Sequence, residues 1–311
     1  LVDTISIRLG IEQAGNNDLL ACIPAYLQDV SEHLFEGGKV AITGRLKNLK
    51  VSVTDNAVMV KDGSLTKWYL GDNLKMLSRG DIEKAFTKMS DTLHLPMNKA
   101  DVKRLDFGKN IMLTHNVNAY LPYLGSNGRY TRLEQKTALN YKIAGRELCV
   151  YDKIAEMKSR GDMPPPLYDG RHVFRYEKRY LQGIAKYFNR ASVTVETLYD
   201  ETFYMGLVND WYKDYQSIQK QKTFKIDMSM ITTKEQMKML GVLSLVEQQG
   251  GKLAAFENIR ERQTKRELTK KQAHDLKGLI KQSLKLKLQT KESDLILELD
   301  GKMKEAVKYF R

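Results

Sequence analysis

Three polar triplets in the sequence share one spacing: Arg104-Leu105-Asp106, Tyr151-Asp152-Lys153 and Arg175-Tyr176-Glu177. In each, the first and third residues carry reactive or charged groups. A β-strand alternates its side chains between two faces, so a triplet on a strand presents both of those residues on one side. Three such strands in one sheet would gather an Asp, a Glu, a Tyr, a Lys and two Arg on a single face. That set suits metal-assisted attack of a tyrosine on a phosphodiester. A phenol, with a pKa near ~10, is a poor nucleophile at neutral pH without help. A divalent cation polarises the phosphate and stabilises charge on the leaving oxygen. Mg²⁺ or Mn²⁺ takes hard oxygen ligands, typically one or two carboxylates completed by water and phosphate. Asp106 and Glu177 are the candidate ligands, Tyr151 the nucleophile and Lys153 its phosphate partner. Arg104 and Arg175 are candidates to neutralise the phosphate or steady the carboxylates. Each triplet alone is also the pattern of a salt bridge on a solvated strand, so the signal is the coincidence of three.

The elements that must position these residues read as follows. Val2 to Leu9 alternates apolar and polar residues and reads as a half-buried strand ending near Gly10. Residues Asn17 to Phe35 read as a helix. Several short strands occupy Lys39 to about Leu70, punctuated by Gly44, Asp55-Asn56 and Asp62-Gly63. Asp81 reads as the N-cap of a helix with Ile82, Ala85, Phe86 and Met89 on one face. Strands follow over Asp101–Leu113, over residues 129–153 with a break at Ala144-Gly145, and over His172–Tyr180; these carry the triplets. A short helix is expected after Lys153, and Pro164-Pro165-Pro166 marks a loop. Thr197 to Ile218 reads as one amphipathic helix. After Lys222 the chain reads as all-helical. The expected helices are Thr232–Gln249 with a Thr232…Glu235 capping box and a Gly250-Gly251 stop, Lys252–Gln263, Thr269–Leu288, and Met303–Phe310. The expected fold class is therefore α+β. A palm-like nicking domain, an antiparallel sheet with helices on one face, spans residues 1–222. A basic, all-helical domain follows at 223–311, either a helix-turn-helix-like DNA-binding module or an accessory bundle with solvated charged faces.

Composition narrows the partners. The 311 residues carry a formal charge of +13, which predicts a polyanionic partner, nucleic acid first. Only Cys22 and Cys149 are present, without a Cys/His cluster, which argues against a disulfide framework or a structural zinc site and suits a reducing cytoplasm. No long uncharged apolar run suggests a membrane span. No Walker motif is present, so strand separation is expected to need a host helicase, and synthesis a host polymerase.

On these residues the chain resembles the rolling-circle replication initiators of the filamentous-phage gene II type and, more distantly, the plasmid Rep_trans initiators. The resemblance is carried by the Val2–Leu9 strand, Gly63-Ser64-Leu65, Gly71-Asp72-Asn73, and the R-x-D, Tyr-x-Lys and R-x-E strands in that order. It covers roughly residues 1–220. Residues Tyr123–Lys142 and the tail after Lys222 depart from the pattern. The resemblance implies an enzyme that binds origin duplex and single-stranded DNA, nicks one strand through Tyr151 and later rejoins it. Asp106 and Glu177 would hold the metal and Lys153 would assist at the phosphate. The products would be a 5′-phosphotyrosine and a free 3′-hydroxyl primer. A homodimer is a candidate assembly, and Tyr130, Tyr141 and Tyr180 are candidates for a second tyrosine in closure. Two rival readings stay open: a conjugative relaxase with the same chemistry, and a non-catalytic sequence-specific DNA-binding regulator. The second predicts Tyr151 apart from Asp106 and Glu177.

Overall fold

The computed structural model describes residues 2–15, 18–221, 223–224, 231–249, 251–285, 290–291 and 293–309. Its strands are β1 (Val2–Gly10), β2 (Gln28–Leu34), β3 (Val40–Leu46), β4 (Leu49–Thr54), β5 (Ala57–Lys61), β6 (Asp101–Leu113), β7 (Leu124–Asn127), β8 (Thr131–Gln135), β9 (Ala138–Ile143), β10 (Arg146–Asp152), β11 (His172–Tyr180), β12 (Ile218–Lys220), β13 (Thr223–Phe224) and β14 (Thr290–Lys291). The α-helices are α1 (Leu19–Cys22), α2 (Leu65–Leu70), α3 (Arg79–Leu93), α4 (Lys153–Ser159), α5 (Ile184–Tyr187), α6 (Val195–Tyr199), α7 (Glu201–Ser217), α8 (Lys234–Gln248), α9 (Gly251–Thr264), α10 (Lys270–Ser283) and α11 (Asp294–Tyr309).

The fold is α+β, as expected. Ten strands form one antiparallel sheet in the order β2-β3-β4-β5-β1-β6-β11-β10-β9-β8. The three triplet strands β6, β11 and β10 are consecutive near its middle. On one face, inward-pointing residues of these strands, such as Phe107, Phe174, Tyr176 and Val150, meet helices α3, α6 and α7 in the main core. Helix α7 buries Phe203, Tyr204, Leu207, Val208, Trp211 and Tyr215, a 3.6-period stripe. Each fully buried large side chain of this kind contributes roughly 1.5–3 kcal/mol. Lys178 enters the same face fully buried, and it is tolerated there because Asp210 and Asp214, one turn apart on α7, pair with its ammonium.

Local chemistry departs from the sequence reading in several places. Helix α2 closes the expected strand stretch Lys39–Leu70, the paired strands β13 and β14 interrupt the expected all-helical tail, and the last helix begins at Asp294 rather than Met303. Residues 18–35 are not one helix: α1 stops before Pro24, a short 3₁₀ turn follows, and Gln28–Leu34 pairs with β3 as an exposed edge strand. The proline removes a helical donor, and pairing with β3 then satisfies the backbone that follows. Ser78, not Asp81, caps α3; Asp81 sits at the third helical position and accepts from the Ser78 N–H at 3.0 Å, closing a capping box. The Thr197–Ile218 stretch is two helices, broken at Asp200, whose side chain caps α7. In the tail, α8 is capped by Thr233 with Gln236 rather than by Thr232 with Glu235. Gly250, residues 286–288 and Phe310, which fall in the expected helix ends, lie outside the described residues.

The tail divides into two parts. Helices α8, α9 and α10 share their own apolar cluster of Val246, Ala255, Ile259, Ala273 and Ile280. Helix α11 packs instead into the main core through Ile296, Leu299 and Met303. Its Glu298 accepts from Thr114 N–H at 2.8 Å and Tyr120 hydroxyl at 2.5 Å, and its Asp300 accepts from Tyr215 at 2.5 Å. Among the described residues no helix is long and apolar enough to cross a membrane.

Candidate active site

Strand register brings the triplets to one face. Tyr151 pairs with Arg175, Cys149 with Glu177, and Glu147 with Arg179 across β10 and β11. Across β11 and β6, Arg175 pairs with Asn110, Glu177 with Gly108, and Arg179 with Asp106. All these residues share a parity and point away from the main core. The face is therefore a polar patch on a sheet whose other side is apolar.

Glu177 is its hub and is 3% exposed. The Tyr151 hydroxyl donates to Glu177 Oε2 at 3.3 Å. Arg175 Nε donates to the same oxygen at 3.0 Å. Arg179 donates to Oε1 from Nε at 2.7 Å and also from Nη2. Arg179 also reaches Glu147 at 3.4 Å and lies 3.7 Å from Asp106. Arg104 grips Asp106 with two parallel bonds of 2.9 and 2.8 Å. Burial alone would raise the Glu177 carboxyl, but the charges of Arg175 and Arg179 outweigh it and hold its pKa down at about 2. Burial raises Asp106, with a further push from the Glu177 charge, despite Arg104. Burial also pushes the Tyr151 phenol well above its ordinary value, and the Glu177 charge adds to that. The phenol is thus held neutral and oriented, next to a carboxylate too weakly basic to keep its proton.

Five of the six sequence-derived residues converge here: Tyr151, Glu177, Asp106, Arg104 and Arg175. Lys153 is placed differently. It starts α4, is 2% exposed, and its ammonium is held by Glu156 at 2.8 Å. Glu156 in turn holds Arg160 at 2.6 Å and borders a groove beside Tyr151. Lys153 therefore reaches the site through Glu156 rather than directly.

Several residues at the site escaped the triplet pattern. Arg179, Asn110, Glu147 and Cys149 extend the same alternation along the triplet strands, so following it further would have found them. Asp3 could not be found that way. The β1–β6 register shifts between Val2 and Ile5, a bulge that re-aims the Asp3 side chain. Asp3 accepts from Arg175 Nη2 at 3.0 Å and from the Ser64 hydroxyl. Gly108, opposite Glu177, is also required: a Cβ there would run into Glu177 Cβ and would lie 2.6 Å from the Tyr176 carbonyl oxygen.

Tyr130, Tyr141 and Tyr180 do not face Tyr151. Tyr130 donates to Asp214 at 2.7 Å, Tyr180 to Asp210 at 2.6 Å, and Tyr141 to the Gly125 carbonyl at 2.8 Å, all on the helix-covered side.

Among the described residues no three His, Cys, Asp or Glu side chains cluster as a metal cage. Asp106 and Glu177 lie at the centre of the face, with the Glu147 and Asp3 carboxylates at its margins on Arg179 and Arg175. The central two fit a Mg²⁺-like cation in type, since such ions use one or two carboxylates plus water and phosphate. Burial raises Asp106 most, and the smaller push from the Glu177 charge is one a cation would relieve. Arg104 and Arg179, which hold the Asp106 oxygens and Glu177 Oε1, have side chains 35% and 28% exposed, while Glu177 Oε2 is held by the buried Arg175.

No curated protein matches the chain. Residues 30–214, more than half of it and including all three triplet strands, match the model for the N-terminal part of the replication-associated protein encoded by gene II of filamentous phages. The chain belongs to that family, the replication initiators of the gene II type.

Proposed function

We propose that this protein nicks and rejoins one DNA strand at a replication origin through Tyr151. The observation that carries the reading is the Tyr151 hydroxyl 3.3 Å from Glu177, on a face that also gathers Asp106 and three arginines. A non-catalytic regulator predicts these residues apart. In the proposed step the Tyr151 oxygen forms a bond to phosphorus and the bond to the 3′ oxygen breaks. The phenol's proton is balanced by one gained at that 3′ oxygen. The chain keeps a 5′-phosphotyrosine, and the free 3′-hydroxyl can prime synthesis by a host polymerase behind a host helicase. Reversal of the same step rejoins the ends.

Each residue has a role that follows from its place. Glu177 orients the phenol, and its low basicity keeps it an acceptor of the hydroxyl rather than a store for the proton. Arg175, buried between Asp3, Asn110 and Glu177, fixes Glu177 in turn. Arg104 and Arg179 sit at the edge of the face, where their charge can pass from carboxylates to the scissile phosphate. Lys153 can follow if Glu156 releases it. Asp106 and Glu177 are the proposed holders of Mg²⁺ or Mn²⁺, which would supply Lewis-acid stabilisation of the phosphate. Helices α9 and α10 and the turn between them expose Arg260, Arg262, Lys265, Lys270, Lys271 and Lys281, and origin-duplex binding is assigned to this helical unit.

The test is incubation with a supercoiled plasmid bearing the element's own origin, with Mg²⁺ or Mn²⁺, followed by mapping of the nick and of the DNA-linked peptide. Tyr151→Phe should lose nicking and covalent attachment and keep DNA binding. Nicking by that variant would reject the assignment.

A further inference from the structure

A groove of ≈ 600 Å³ opens beside Tyr151, between the β8–β9 hairpin and α4. That volume lies within the ~300–1,000 Å³ range of sites that enclose small ligands. Its floor is made of small or short residues. Ala138 sits directly opposite Tyr151, and Cys149 lies between Asn140 and Glu177 in the register. Asn140 is half-buried on this floor, and among the described residues its amide has no hydrogen-bond partner. At the rim, Lys142 and Arg160 are exposed cations, paired with Glu147 at 3.3 Å and with Glu156 at 2.6 Å.

We propose that this groove binds a nucleotide adjacent to the scissile phosphate, as unpaired DNA, and that the Asn140 amide reads its base. The proposal rests on the nicking role of Tyr151 for the meaning of "adjacent", and on the groove itself for the rest. A groove of ≈ 600 Å³ between a hairpin and a helix has the volume of a small ligand, which suits a nucleotide of one strand rather than a duplex. The floor is low where a flat base would lie, and at the rim Lys142 and Arg160 would exchange Glu147 and Glu156 for the phosphates that pass there. An amide offers one donor and one acceptor side by side, the arrangement that pairs with the matching edge of adenine. The groove shares Tyr151 and Arg179 with the hub around Glu177, while Ala138, Asn140 and Arg160 lie outside that hub and can be substituted without touching it. It would set where along a melted strand the nick falls.

The experiment is photocrosslinking of the full chain to single-stranded oligonucleotides carrying 4-thiothymidine, without added metal, followed by peptide mapping. Adducts are expected on residues 135–142 and 155–160, and they should disappear in Ala138→Phe, which fills the floor, while adducts on α9 and α10 persist. Adducts confined to other regions, or undiminished in Ala138→Phe, overturn the proposal. For base reading, unlabelled homopolymers of deoxyadenosine, deoxycytidine and thymidine compete for the groove adduct. Competition should differ about tenfold with Asn140 in place and level out in Asn140→Leu. Equal competition against the unsubstituted protein overturns the role of Asn140. The outcome is distinguishable from the fate of the nicking reading. Groove adducts without plasmid nicking reject Tyr151 as nucleophile and keep the groove; plasmid nicking without groove adducts does the reverse.

Discussion

Gly108→Ala is the sharpest probe of how the site is held. The added methyl group would run into Glu177 Cβ and lie 2.6 Å from the Tyr176 carbonyl oxygen. Carbon–carbon contacts settle at about 3.5–4.0 Å, so something must move by roughly 1 Å. Both obstructing atoms belong to the centre of β11, and β6 and β11 are bonded along nine residue pairs, from His172–Leu113 to Tyr180–Leu105. The strain therefore falls on Glu177, whose four hydrogen bonds to Tyr151, Arg175 and Arg179 define the site. Overpacking of this kind costs about 1–3 kcal/mol of stability. A misplacement of about 1 Å at a reacting group costs on the order of 10²-fold in rate. Urea unfolding followed by circular dichroism reads the first, and plasmid nicking at saturating metal reads the second. Gly206→Ala is the control: it lies within α7 with open space around its Cβ position and should stabilise by about 0.5–1 kcal/mol without affecting nicking. If Gly108→Ala nicked at the unsubstituted rate, the claim that Glu177 must sit where it does would be wrong.

Arg175→Ala leaves the buried Glu177 and the half-buried Asp3 carboxylates without their shared cation, and should lower the unfolding free energy by about 3–5 kcal/mol in a denaturant titration. The pH dependence has a definite sign. Glu177 drops from an ordinary 4.5 to about 2 on folding, so its stabilising effect is complete above about pH 4.5 and is lost as pH falls toward 2. The difference amounts to on the order of 3 kcal/mol. Acid titration of Glu177→Gln should be flatter across that window; an unchanged profile would remove Glu177 from the acid-labile groups. Binding of origin duplex should weaken steeply with salt, with a log–log slope of about −0.9 per phosphate contacted. A flat salt profile would contradict a phosphate-tracking interface.

How much of this was legible in the sequence depended on how local the physics is. Strand alternation is a local property, so spacing alone could put Arg104 with Asp106 and Arg175 with Glu177 on one face of their strands, while the register that aligns them with Tyr151 comes from pairing across β6, β11 and β10. The strands Asp101–Leu113 and His172–Tyr180 have the bounds their alternation suggested. Lys153 broke the pattern because the chain turns into α4 at that residue, and a helix does not keep strand parity. Asp3 was hidden by a bulge, which depends on how β1 and β6 pair rather than on β1 itself. The stretch ending at Phe35 misled for a related reason: Gln28–Leu34 is exposed along its whole length and becomes a strand only because β3 lies beside it. Glycine at 108 carries no chemistry in the sequence; its meaning comes wholly from the residue across the strand.

The placement of α11 bears on how the chain is assembled. Because α11 lies in the main core while α8–α10 have a core of their own, those three helices are an excursion rather than an appendage. Its two ends leave side by side, where Thr223 pairs with Lys291 and Phe224 with Thr290. A unit tethered at both ends cannot drift from the part it leaves. On the proposed reading, its basic helices would hold duplex DNA while the sheet face handles a single strand. The same connectivity delays completion of the sheet's core during synthesis until α11 has emerged. It also predicts that cutting the chain at residue 222 uncovers the surface that Ile296, Leu299 and Met303 now shield. The clean way to isolate the sheet-bearing part is to excise residues 225–289 and join the paired strands by a short turn.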